Sequence, residues 1–155
     1  MARFLTPLDM RDAGDGKHFI VLAPLIYILR PKWVIKYVLP AVVVPKGFCT
    51  DLASIPRVLG FALPAVGKYD YAAVVHDYLY RTDSVPLMRK SSDANGIMMG
   101  AMEDSPKSPS WITRKIIRAG LAIGGPHAFH DHPVIWRPKG LPEIPVEEIT
   151  CKSSQ

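Results

Sequence analysis

The chain has 155 residues, 48% of them hydrophobic and 21% charged, the size and balance of one globular domain and not of a disordered chain. Its formal net charge of +5 favours contact with anionic surfaces, but no Lys/Arg run reaches the length of a nucleic-acid tract. The 15 prolines predict short elements joined by long ordered connections.

In chain order, MARFLTPLDM lacks the continuous apolar core of a signal peptide. Residues 18–29 (HFIVLAPLIYIL) and 33–44 (WVIKYVLPAVVV) are rich in β-branched and aromatic side chains. They predict two or more antiparallel strands, with Pro24 and Pro40 at edges or bulges and Arg30-Pro31-Lys32 as the turn between them. Arg30, Lys32, Lys36 and the prolines interrupt this stretch too often for a transmembrane segment. Pro45-Lys46-Gly47 closes it, and residues 48–58 (FCTDLASIPRV) read as an ordered loop with a turn at Ser54-Ile55-Pro56. Cys49 and Cys151 lack metal-ligand spacing and read as free thiols in a reducing compartment.

A helix is expected from about Lys68 to Arg81. At 100° per residue, Tyr71, Ala72, Val74, Val75, Tyr78 and Leu79 share an arc that faces a core. The other arc carries Tyr69, Asp70, Ala73, His76, Asp77 and Tyr80, too aromatic for an ordinary solvated face. A second helix is expected from Ser92 to Met102, capped by Ser91 or Ser92, with Asp93 in its first turn. Gly96 and Gly100 weaken it but allow close packing. Ser110 caps a third helix, Trp111 to Ile123, which Gly124-Gly125-Pro126 should stop. The fold class is therefore α+β: N-terminal antiparallel strands, then about three short helices in one domain over 1–135, with an extended proline-rich tail over 136–155.

The strongest chemical constellation is His76-Asp77-x-x-Tyr80 on one helix with Asp93 at the start of the next. Two helices joined by a short connection pack antiparallel, which would carry Asp93 toward His76. A carboxylate on one imidazole nitrogen fixes the tautomer and leaves the other nitrogen to take a proton. Asp77 points elsewhere and is a candidate metal ligand. The competing reading makes His76 a hydrogen-bonded packing residue and Asp93 a first-turn acid. Thr50, Asp51 and Ser54 form a second polar group beside Gly47, with Asp51 a candidate metal ligand or partner of Arg57, although such residues commonly serve turns. His127, His130 and His132 are dense enough to bind a transition metal, but lie among prolines. Arg114, Lys115 and Arg118 with Trp111 form a basic stripe that suits lipid head groups or nucleic acid, or simply solvent.

Two segments taken together, VPKGFCTDLASIPR (44–57) and YDYAAVVHDYLYR (69–81), followed by Asp93-Ala94, resemble a family of small proteins of unknown function found in tailed bacteriophages and prophages. The match covers roughly residues 40–105 and implies a phage origin. The sequence departs from that pattern at Ser92-Asp93-Ala94-Asn95, where an alanine usually precedes the aspartate, and in its long tail. More locally, A-A-x-x-H-D-x-x-Y is similar to the active-site helix of calcium-dependent phospholipases, including those of parvovirus capsid proteins. That resemblance implies His76 as general base, Asp93 as its orienter, Asp77 as a calcium ligand and Tyr80 in support, with Thr50-Asp51 in place of the missing glycine-rich calcium loop.

The sequence thus supports a phage virion-associated protein of the tail or penetration apparatus, with a His76/Asp93 hydrolase-like site acting on host envelope lipid or cell wall. Calcium or another divalent cation is its candidate cofactor. Other phage structural proteins are its expected partners, in the virion or in the host cytoplasm during assembly. The alternative is a non-catalytic tail or connector component in which the same residues are a structural network. A nucleic-acid-contacting factor is suggested by charge alone.

Overall fold

The apolar stretch before residue 45 does form antiparallel strands in the computed structural model, which describes residues 3–52 and 69–130, but it does not form one hairpin. β1 (Met10–Asp12), β2 (Phe19–Val21) and β5 (Cys49–Thr50) make a three-stranded antiparallel sheet in the order β1-β2-β5. β3 (Leu25–Ile28) pairs with β4 (Ala41–Val44) in a second sheet, with Leu25 opposite Val44 and Ile28 opposite Ala41. Leu25, Tyr27, Val42 and Val44 point inward while their neighbours alternate outward, the period of two expected of a sheet with one covered face. Pro24 falls between β2 and β3, and Pro40 immediately precedes β4, where neither removes a ladder bond.

The expected turn at Arg30-Pro31-Lys32 is instead the start of a helix, α1 (Pro31–Tyr37). Pro31 stands at its first position, where a missing N–H costs nothing and φ is already helical. WVIKY, read as strand from its β-branched and aromatic content, is helical because the proline nucleates it and tertiary contacts outweigh a weak propensity. The helix ends at Val38, which takes a left-handed φ of 58°.

α2 (Asp70–Leu79) is the centre of the molecule, packed on β4 and β5 and on α3 (Ser91–Asp104). Both of its arcs are covered, not one: Asp70, Ala73 and His76 are buried along with Val74, Val75 and Leu79. Helices are enclosed all round when they occupy a core, and full burial of each Val or Leu contributes roughly 1.5–3 kcal/mol. α3 starts at Ser91, but neither Ser91 nor Ser92 caps it: the cap position is Lys90 and carries no side-chain cap bond. Ser110 does cap α4 (Trp111–Ala128), its hydroxyl accepting from the Thr113 amide at 3.2 Å. α4 also runs through Gly124-Gly125-Pro126, a sequence that weakens a helix without forbidding it. Its far end is tied to α2 by the His130 amide, which donates to the Tyr80 carbonyl at 3.0 Å.

The architecture is α+β as expected, with four helices among the described residues. Cys49 is disulfide-bonded and so is not the free thiol expected. The turn at 54–56 and the proline-rich tail lie outside the described residues. No described helix is long and apolar enough to cross a membrane.

Candidate functional site

The two familiar segments meet in space. Thr50, at the end of β5, donates its hydroxyl to Asp77 of α2 and accepts the Leu52 amide at 3.0 Å. Leu52 takes a left-handed φ of 53°, a costly conformation for a branched side chain. Asp77 in turn lies with an oxygen 3.9 Å from Nδ1 of His76, beyond hydrogen-bond reach. Thr50, Asp77 and His76 are therefore neighbours. Asp51 is exposed at the edge of this group, and Ser54 lies outside the described residues.

His76 is 1% exposed. Its Nε2 bonds to Oδ1 of Asn95 on α3 at 2.8 Å, and the Tyr80 hydroxyl donates to the same oxygen at 2.7 Å. The amide oxygen accepts, so the neutral imidazole carries its proton on Nε2 and its lone pair on Nδ1. Nδ1 has no hydrogen-bond partner among the described residues. The Tyr80 ring lies 4.1 Å from the imidazole, centroid to centroid, and Phe129 packs edge-on against Tyr80. Burial pushes the Tyr80 hydroxyl up to about 12.

Asp93, expected to orient His76, is engaged elsewhere. One oxygen accepts from Lys36 at 2.8 Å and the other from the Tyr37 hydroxyl, both on α1. Burial pushes the Asp93 carboxyl up, but the bonds from Lys36 and Tyr37 outweigh it and hold the group below the usual carboxylate range. The same environment, burial first and then Asp93, pushes the Tyr37 hydroxyl up to about 12. The physical reason for the exchange is helical phase. Asp93 shares a stripe with Gly96, Gly100 and Asp104, and α1 lies along that stripe: Trp33 over Gly96, Arg30 over Gly100 and on Asp104 at 2.9 Å. Asn95 stands 200° around α3 from Asp93 and so faces α2.

Asn95 is thus the residue that reading for carboxylates passes over. Its signal was present: the two glycines marked the side of α3 on which another element would close, and Asp93 is on that side. Among the described residues, no group of three His, Cys, Asp or Glu side chains gathers to hold a metal. Of the three C-terminal histidines the side chain of His130 is described; it stacks on Phe129, and its Nε2 has no hydrogen-bond partner among the described residues.

A model for a family of proteins of unknown function, DUF1353, matches residues 23–117, which takes in β3, β4, β5, the His76 helix and the Asn95 helix. No curated protein and no solved structure matches the chain.

Proposed function

This chain belongs to DUF1353, a phage- and prophage-associated family of unknown function, and from that premise we propose that it is a non-catalytic structural component of the phage particle, at the tail or connector. The observation that carries the reading is the sealing of His76: 1% exposed, bonded to Asn95 and covered by the Tyr80 ring. A working general base has to reach a proton on its substrate. This imidazole is instead one corner of a polar lock in which Asn95 Oδ1 takes two donors and fixes α2 on α3. Two donors from α2 and its C-cap that share one acceptor on α3 favour this packing of the helix pair. Partners would be other proteins of the particle, and the place of action the virion, or the host cytoplasm during assembly.

One observation favours a second reading. The Nδ1 lone pair, without a hydrogen-bond partner among the described residues and with Asp77 3.9 Å away and Thr50 behind it, is the arrangement of a base held in one tautomer by an amide. In that reading His76 is the base of a hydrolase acting on envelope lipid or cell wall, and Asn95 takes the orienting role first assigned to Asp93.

The two separate in one set of measurements. Purified protein is incubated with calcium and either phospholipid vesicles or peptidoglycan, alongside a His76→Gln variant, while phage carrying each form are analysed for particle content. The structural reading expects no turnover by either form, wild-type protein retained in purified particles, and less retention of the variant together with a lower melting temperature. Turnover by the wild type that disappears in His76→Gln at unchanged melting temperature would replace it with the hydrolase.

A further inference from the structure

Positive charge is unevenly placed along this chain. Between Ser105 and Ala122 stand Lys107, Arg114, Lys115 and Arg118, with no Asp or Glu, in a protein whose whole formal charge is +5. The two acids just upstream are already occupied: Arg30 and Arg114 reach Glu103, and Arg30 and Arg3 reach Asp104. Lys107, Lys115 and Arg118 have no acidic partner among the described residues.

Apolar side chains are exposed in the same place. Trp111 is 60% exposed and Ile112 53%, side by side in the first turn of α4. Along the helix Trp111, Lys115, Arg118 and Ala122 form one outward stripe, while Ile117 and Leu121 are buried on the opposite side. The Lys115 ammonium sits 4.8 Å from the centre of the Trp111 ring, so the cation and the indole are presented together.

We propose that this outer face of α4 docks on an anionic lipid surface, lying along it and not crossing it. Phosphate attracts the cations whether it belongs to a lipid or to a nucleic acid. The indole and the branched aliphatic chain distinguish the two. A tryptophan beside an isoleucine fits the boundary between head groups and acyl chains, and lysines and arginines on the flanks fit the phosphates above it. A sugar–phosphate backbone offers nothing to Ile112. The inference is independent of whether the protein is a particle component or an enzyme.

Full-length protein is sedimented at low salt with vesicles of phosphatidylglycerol and phosphatidylethanolamine, and separately with phosphatidylcholine vesicles. Binding to the anionic vesicles, little to the neutral ones, and weakening with added salt are expected. The pair Lys115→Glu with Arg118→Glu, and the pair Trp111→Ser with Ile112→Ser, should each weaken binding about tenfold or more. These side chains are exposed, so both variants should keep the wild-type melting temperature. If either melts lower, Trp111→Phe is used instead: vesicles should shift the wild-type tryptophan emission to the blue, and this shift should be lost in that variant. The proposal is overturned by absence of sedimentation with anionic vesicles, by binding indifferent to Trp111→Ser with Ile112→Ser, or by a duplex DNA fragment that binds more tightly than vesicles and equally to the serine variant.

Discussion

α3 has two polar faces, and they solve the burial of polar groups in opposite ways. The face toward α1 is ionic: Asp93 with Lys36 and Tyr37, Asp104 with Arg30 and Tyr27, the Asp93 and Tyr27 side chains buried and those of Lys36 and Arg30 partly exposed. The face toward α2 is uncharged in its bonds: one amide oxygen, one imidazole and one phenol, with His76 buried and Asn95 and Tyr80 half-buried. The difference follows from the donors that each neighbouring helix supplies. A carboxylate persists where charged and hydroxyl donors converge on it, as they do from α1, whereas α2 offers one amide oxygen the neutral donors of an imidazole and a phenol. A histidine therefore gained an amide partner in the seam, while the nearby carboxylate went to the groove.

Substitutions can break this contrast, and the largest effect is expected in the groove. Arg30 bonds both oxygens of Asp104, the Gly100 carbonyl and Glu103. Arg30→Ala should destabilise by about 2–3 kcal/mol by leaving Asp104 under-partnered. Added salt should reduce part of that loss, as read from urea melts at two ionic strengths. Asn95→Ala takes the shared acceptor from buried His76 and half-buried Tyr80 and should cost about 2 kcal/mol, with no dependence on salt. A salt-sensitive Asn95→Ala and a salt-insensitive Arg30→Ala would reverse the comparison.

Gly96→Ala sharpens it sterically. A Cβ there would stand 2.6 Å from Cζ2 of Trp33. The substitution should cost about 1 kcal/mol net, because overpacking outweighs a helix-propensity gain of similar size. Trp33→Ala in the same background should abolish the steric part of the penalty.

The smallest effect is electrostatic. Asp93 has its folded pKa held below the ordinary 3.8, so its contribution is complete above that value and disappears as pH falls through the lower folded value. Lys36→Met removes one cause of the depression. Lys36 is about half exposed, so the loss at neutral pH should stay below about 1 kcal/mol. It should vanish in acid, where wild type and variant melt alike.

How much of this was legible beforehand depended on whether the deciding contact was local. Ser110 capping α4 was readable because the bond lies within three residues. The alternation of β3 and β4 was readable because one face is covered. Gly96 and Gly100 announced a close neighbour, though not that the neighbour was α1, since Pro31 could equally serve a turn or a helix start. The bond from Thr50 to Asp77 was not readable, because it joins residues 27 positions apart that the sequence placed in separate groups. The partner of His76 was not readable, because two residues on α3 separate opposite faces and the choice between them rests on where α1 packs.

The central claim is that His76 is held by Asn95 and not by Asp93. Long-range proton–nitrogen NMR of the imidazoles, with His76 assigned by loss of its signals in His76→Gln, reads the tautomer directly. The account predicts a slowly exchanging Nε2 proton on His76 that survives Asp93→Asn and is lost in Asn95→Ala. A ring protonated on Nδ1, or one that responds to Asp93→Asn and ignores Asn95→Ala, would contradict it.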